Sequence, residues 1–370
     1  MIKVLAVDDS ALMRRLLGNV FQSQEDFKVV FARDGVEALA RLHEFQPDVV
    51  TLDIHMPNMD GLACLDRIMV ERPTRVVMLS AVTEAGAEQT LEAMHLGAVD
   101  FITKPDGAMS LAMDDFGPIL IEKVRSASKA RLRASLRLTE RVRLRAGAAA
   151  EPGTLSAFQL RTPRPSPRPA AIVPSARTGP FDRVVVVGSS TGGPPALDAL
   201  LSPLPDDFPW PILVAQHMPA SFTGPLARRL DRLCALTVQE VLGPTSLAPG
   251  NVYIGKGDAD IIVVKHGETP FVTAAAPRAE HRWHPSVDRL VSTAMQNLGA
   301  NRLVGVLMTG MGDDGATAMS RLLSEGGRTI AEAEETAVVW GMPGELVKVG
   351  GAEVVAPVDK IATFLVDWAR

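Results

Sequence analysis

The sequence predicts an α/β protein of two domains in series: an N-terminal doubly wound (βα)5 domain, a linker, and a C-terminal α/β domain with a mostly parallel sheet. Short β-branched runs alternate with amphipathic stretches from residue 1 to about 105, and the alternation resumes after Phe181. Between residues 146 and 180 the composition shifts to Ala, Pro, Arg, Ser and Thr, with PRPSPRP at 163–169, which cannot bury enough apolar surface to fold. A length of 370 residues also exceeds the usual size of one compact domain. The expected boundaries are 1–125, 126–180 for a basic, Pro- and Ala-rich linker, and 181–370.

In the first domain IKVLAV, FKVVF, DVVTLD, RVVMLS and VDFIT read as five strands, each followed by a helical pattern. Continuous apolar runs of this kind belong in a parallel sheet covered by helices on both faces. Residues 114 to about 145 read as a final helix that becomes arginine-rich. In the second domain RVVVVGSS, PILVAQH, TVQE, NVYIG, IIVVKH, NRLVGVLMTG and GAEVVAP read as strands, with helices between several of them.

Hydrophobic content of 46% with 22% charged residues is enough for real cores and argues against extensive disorder. No run of about 18 apolar residues exists, and MIKVLAVDDS carries acids where a signal peptide is apolar, so a soluble cytoplasmic protein without membrane insertion is expected. Cys64 and Cys234 are too few and too far apart for a disulfide framework or a CxxC motif, which fits a reducing compartment. The net charge of -5 divides into +10 over residues 121–180 and -15 elsewhere. Such a basic stretch either keeps a linker solvated or touches an acidic surface. Its single aromatic residue, Phe158, offers little for base stacking, and no nucleic-acid partner is expected.

Ligands of open parallel sheets bind beyond the carboxyl ends of the strands, so the polar residues there define the first site. Asp8 and Asp9 end the first strand, Asp53 the third, Ser80 the fourth and Lys104 the fifth. Converging carboxylates repel unless a hard cation neutralises them, and oxygen-only ligands select Mg²⁺, with Asp8, Asp9 and Asp53 as metal ligands. Metal beside Asp53 would shield an incoming phosphoryl group, Lys104 would pair with its oxygens and Ser80 would hydrogen-bond one of them. Asp53 is then the phosphoryl acceptor. The set DD, LDIHMPNMDG, SA and KP resembles the receiver domain of two-component response regulators. The resemblance implies phosphotransfer from a histidine kinase to Asp53, with a backbone carbonyl near His55 completing the metal shell and His55 itself a surface loop residue.

The segment RVVVVGSSTGGP ends a strand and opens a helix. Its glycines, at 188, 192 and 193, do not make a GxGxxG dinucleotide loop, and no acid follows the next strand, which disfavours a nucleotide-binding dehydrogenase. A small-residue turn at a helix N-terminus also presents a hydroxyl where amides stabilise negative charge; Ser189, Ser190 and Thr191 are available. A hydroxyl needs a base, and His217 follows the next strand. MGDDG after RLVGVLMTG supplies Asp313 or Asp314 to orient the imidazole. The resulting order Ser, His, Asp matches neither the α/β-hydrolases nor trypsin or subtilisin, but triads are defined by role and geometry.

GSSTGGP, QHMP, HPSVD, MTGMGDDG and WGMPGELV resemble the catalytic domain of the chemotaxis receptor methylesterases, from about 181 to 370. That resemblance implies Ser190 as nucleophile, His217 as base and Asp314 as orienting acid. It further implies Thr191, Met311 and nearby amides as oxyanion support, and no cofactor in this domain. Methyl-accepting chemoreceptors would be substrates, a chemotaxis histidine kinase the phosphodonor, and glutamine deamidation a second activity. Ser189 stands where the family commonly has alanine, and Asp313 where asparagine is usual. Trp283, His281 and His284 are expected either on the rim or in packing. The alternative is a response regulator with a non-catalytic partner- or DNA-binding output domain, which predicts salt-sensitive binding and no hydrolysis.

Overall fold

The computed structural model describes residues 1–81, 83–105, 109–132, 181–267 and 269–370. The first sheet is parallel, in the order β2-β1-β3-β4-β5. Its strands are β1 (Ile2–Val7), β2 (Phe27–Ala32), β3 (Val49–Asp53), β4 (Arg75–Ser80) and β5 (Asp100–Thr103). Between them lie α1 (Ala11–Gln22), α2 (Gly35–Phe45), α3 (Gly61–Glu71) and α4 (Glu84–Leu96), and α5 (Met109–Lys129) follows. The first four helices begin at Ser10, Asp34, Asp60 and Thr83, whose side chains accept from the amides of Met13, Glu37, Ala63 and Gly86. The capping residues fix where each strand hands over to its helix. They therefore fix which residues occupy the strand ends.

The helix expected from residue 114 starts at Met109 and ends at Lys129. Residues 130–132, also read as helical, lie beyond the helix, while the rest of that stretch, to about 145, and the proline-rich run at 163–169 lie outside the described residues.

The second sheet has seven parallel strands in the order β15-β14-β13-β6-β7-β10-β8. The strands are β6 (Val184–Ser189), β7 (Ile212–Gln216), β8 (Thr237–Val241), β10 (Asn251–Gly255), β13 (Leu303–Leu307), β14 (Arg328–Glu332) and β15 (Val354–Ala356). Helices α6 (Gly193–Leu201), α7 (Ala220–Leu233), α8 (Val287–Leu298), α9 (Ala316–Ser324), α10 (Met342–Lys348) and α11 (Val358–Trp368) cover it. A small antiparallel sheet of β9 (Thr245–Ser246), β12 (Thr269–Ala275) and β11 (Asp260–His266) packs alongside, β11 against α8. Val184 to Val187 of β6 are fully buried, as a central strand covered on both faces requires.

Three strands escaped the sequence reading. RTIAE, which is β14, begins and ends on charged residues and shows no period. TPFVTAA, which is β12, carries a proline in its second position, a mark of edge or antiparallel strands. The two residues of β9 are too few for any pattern.

In each sheet the first strand sits inside, with its successors on opposite sides. β1 lies between β2 and β3, and β6 lies between β13 and β7. The crevices of doubly wound sheets open at such reversals. The α4, β5 and α5 face of the first domain docks on the second. Phe101 stacks on Phe222 of α7 with ring centroids 4.3 Å apart, and Arg131 pairs with Glu334 at 2.8 Å. Arg228 of α7 bonds Glu84 of α4, and His95 lies 3.6 Å from Asp198 of α6.

Candidate functional sites

At the first crevice Asp8, Asp9 and Asp53 bring carboxylate oxygens within 4.8 Å of one another. Asp8 and Asp53 are buried and Asp9 is exposed, so the cluster opens to water through Asp9. The Lys104 ammonium lies 2.7 Å from Asp53 Oδ2 and 2.8 Å from Asp8 Oδ2. Burial pushes the Asp53 carboxyl above its ordinary range, with the Asp8 charge adding and Lys104 opposing. Burial also works against the Lys104 cation, but hydrogen bonds to Asp53 and Asp8 outweigh it and raise its pKa. Asp8 Oδ2 is buried, and the Lys104 ammonium 2.8 Å away is the cation beside it. Three clustered carboxylates with one lysine charge among them, all offering oxygen, fit a hard divalent cation such as Mg²⁺.

Ser80 stands at the correct strand end, yet its hydroxyl turns toward α4. Thr90 Oγ1 donates to it at 2.8 Å, and it faces the carbonyls of Ala81 and Gly86. Reaching a group on Asp53 requires those bonds to exchange. His55 is exposed.

At the second crevice the three expected residues follow three adjacent strands: Ser190 after β6, His217 after β7 and Asp314 after β13. His217 Nε2 lies 2.8 Å from Asp314 Oδ2. The carboxylate also accepts from the amides of Val287 at 2.8 Å and Asp288 at 3.0 Å, and from Ser286 Oγ at 3.2 Å. Ser286 caps α8, so Asp314 sits on the positive end of a helix dipole. Burial alone would raise its pKa; the His217 hydrogen bond and charge, with the helix amides, prevail and hold it below the ordinary range.

With Nε2 committed to Asp314, the nitrogen left for a hydroxyl is His217 Nδ1, which is buried without a partner. Ser190 borders the same cavity as His217, and no hydrogen bond joins the two among the described residues. Catalytic bonds of this kind commonly tighten only when substrate is seated.

The rival residues are accounted for. Ser189 is fully buried and donates to Gln216 Oε1 at 2.6 Å, while Asp313 is exposed. Thr191 is buried, and its hydroxyl donates to Asp100 of β5 at 2.5 Å. That hydroxyl is therefore committed to the other domain, and Thr191 has only its backbone N–H left to offer an oxyanion. Met311 borders the cavity. His284 is pinned through Nδ1 to Asp260 at 2.8 Å, His281 lies 3.8 Å from Glu280, and Trp283 stacks on His217. Cys64 and Cys234 are free thiols pushed by burial to about 12 and about 11, which leaves neither reactive at neutral pH.

Gln216 was not singled out from sequence. Its Nε2 donates to the carbonyls of Ser190 and His217 while its Oε1 holds Ser189. It packs so tightly under the turn that a Cβ on Gly193 would collide with its amide, which explains the glycine there. A glutamine directly before the candidate base was the available signal.

Asp260 braces the far wall: its carboxylate accepts from the amide of Ser286 at 2.8 Å and from Arg289 Nη1 at 2.5 Å, besides the His284 contact. Burial would raise its pKa, but His284, the Ser286 amide and Arg289 lower it below the usual 3.8. A carboxyl depressed on folding contributes stability that is complete above the unfolded value, near pH 4, and lost as pH falls through the folded one. Asp260→Asn should therefore lower the melting temperature by roughly 5 to 15 °C at neutral pH, the gap closing below about pH 4. Melting curves of both proteins from pH 7 to 3 check this; a constant gap contradicts it.

A cavity of about 590 Å³ separates the domains. Ser190, His217 and Met311 border it on one side, Phe101, Lys104 and Phe116 on the other. The crevice of the second sheet is thus roofed by the end of β5 and by α5. No helix among the described residues is long and apolar enough to cross a membrane.

A carboxylate and lysine crevice on one sheet, facing a serine turn with a His–Asp pair on another, defines a response regulator whose output domain is a hydrolase. Residues 4–112 match the response regulator receiver domain and residues 185–365 match CheB methylesterase. A protein-glutamate methylesterase/protein-glutamine glutaminase of Rhodopseudomonas palustris is 52% identical over 375 residues, covering 100% of this chain and 99% of its own. One from Rhodospirillum rubrum is 51% identical over 369 residues, covering 100% and 96%. The chain belongs to the CheB methylesterase family, in the form that carries an N-terminal receiver domain. That membership disfavours a non-catalytic partner- or DNA-binding output.

Proposed function

We propose that this chain is a phosphorylation-controlled protein-glutamate methylesterase of the cytoplasm, acting on methyl-accepting chemoreceptors, with protein-glutamine deamidation as a second activity. The observation that carries this reading is the His217–Asp314 pair, which leaves Nδ1 free on the cavity that Ser190 borders. In the proposed reaction Ser190 Oγ attacks the γ-carbonyl of a methylated glutamate while His217 Nδ1 takes its proton. Asp314 holds the proton on Nε2 and stabilises the imidazolium. Developing charge on the carbonyl oxygen meets main-chain amides near Thr191 and Met311. The imidazolium returns its proton to the departing methoxide, methanol leaves, and water attacks the acyl-serine with His217 as base, releasing glutamate. A glutamine presents the same carbonyl with ammonia leaving, more slowly because an amide is the poorer electrophile.

The receiver is assigned to residues 1–125, the linker to 126–180 and the catalytic domain to 181–370. Asp53 accepts a phosphoryl group from a chemotaxis histidine kinase. Asp8, Asp9, Asp53 and a carbonyl near His55 would hold Mg²⁺, which supplies charge neutralisation at the acceptor, and Lys104 pairs with the phosphoryl oxygens. Lys104 and Phe101 lie on the short stretch that both ends β5 and roofs the esterase crevice. Phosphorylation is proposed to move that stretch and release the roof. Carrying the equilibrium from 1:99 to 99:1 takes about 5.5 kcal/mol of differential stabilisation.

The test is methanol release from membranes bearing methylated receptors, with and without a phosphodonor. Phe101→Ala, which removes the stack on Phe222, should raise the unphosphorylated rate at least tenfold toward that of the phosphorylated protein. No release under any condition sinks the esterase reading; release that ignores both phosphodonor and Phe101→Ala sinks the roof.

A further inference from the structure

We propose that Trp283 is a positioning residue of the esterase reaction, its indole holding the His217 imidazole in the plane from which Nδ1 serves Ser190; this rests on the function proposed above. The two rings are stacked, with centroids 5.9 Å apart and planes 17° from parallel, within the range where aromatic pairs attract. The Asp314 hydrogen bond fixes one atom of the imidazole, Nε2, and leaves the ring free to pivot about that contact. A flat neighbour removes this freedom. The indole is itself well anchored, because the next residues are tied down by Asp260 through His284 and the Ser286 amide, each at 2.8 Å.

A stacked indole does more than fill space. Its negative face stabilises a cation above it, and His217 becomes a cation in each half of the proposed reaction. The same ring already meets one cation. The guanidinium carbon of Arg282 lies 4.7 Å from the Trp283 ring centroid, and Arg282 Nη2 bonds Glu122 of the receiver helix α5 at 2.5 Å. The ring thus meets both the imidazole of the proposed base and a guanidinium fastened to the receiver.

The test uses full-length phosphorylated protein and methanol release measured against the concentration of methylated receptor membranes. Trp283→Leu should lower kcat about three- to thirtyfold with KM unchanged, and Trp283→Phe should restore most of it. Trp283→Met is a second non-aromatic filler in case the leucine variant does not fold. Equal rates in the Leu and Phe variants, or a loss confined to KM, would overturn the proposal. Absence of methanol release by the unmutated protein sinks the esterase reading itself, whereas release that is unaffected by Trp283→Leu sinks only the role of the indole.

Discussion

Ser190→Ala should lose ester hydrolysis by a factor on the order of 10⁶ in kcat, the scale seen when the nucleophile of a Ser-His-Asp unit is removed. The neighbouring hydroxyl cannot substitute. Ser189 is fully buried and its proton is given to Gln216, so it faces away from the cavity that Ser190 borders. Ser189→Ala should keep the same mechanism while leaving Gln216 Oε1 without its donor, at a cost of about 1–3 kcal/mol in stability. Methanol release by the two variants beside the unmutated protein, with melting curves to separate catalysis from folding, decides the matter. A dead Ser189→Ala with a working Ser190→Ala would reverse the nucleophile assignment.

Asp314→Asn should cost about 10⁴-fold in kcat with KM little changed, because the substitution acts on a proton rather than on shape. As a carboxylate Asp314 only accepts, so the Nε2 it contacts must carry hydrogen and Nδ1 must carry the lone pair. An amide that turns its NH2 toward Nε2 forces the opposite tautomer, and the base is lost at the nitrogen that needs it. The carboxamide is also a poorer acceptor for the Val287 and Asp288 amides and for Ser286. A modest fall in melting temperature should accompany the kinetic loss. Asp313→Asn, an exposed change, should do neither. Steady-state kinetics on all three proteins tests the pair of expectations.

How much of this could be read from residues alone depended on which force set each feature. Strand ends are set by local rules, apolar runs stopping at a polar residue before a helix cap, and so Asp8, Asp53, Lys104, His217 and the hydroxyls of Ser189, Ser190 and Thr191 were all found at them; the resemblance chose among the hydroxyls. Asp313 and Asp314 were both found after a strand; the resemblance chose Asp314, without the reason it outranks Asp313. That reason is the N-terminus of α8, an element that precedes it in the chain and meets it only in the fold. Gln216 was missed for a related cause: its partners are the backbone and a neighbour one strand away. The choice of Nε2 over Nδ1 lies beyond any sequence pattern. So does the Thr191 bond to Asp100, made between domains 91 positions apart. β14 was hidden because its last residue, Glu332, is a charged group buried to receive the Thr309 amide, against the usual composition of strand interiors.

The cavity that touches Ser190 at one end and Lys104 at the other binds the two domains to a common ledger of free energy. If phosphorylation lifts the β5 stretch away from the esterase crevice, thermodynamic reciprocity requires that anything wedged into the crevice also favour the phosphorylated receiver. A receptor helix in place would then be an effector of the regulator and not merely its substrate, favouring the state that admitted it.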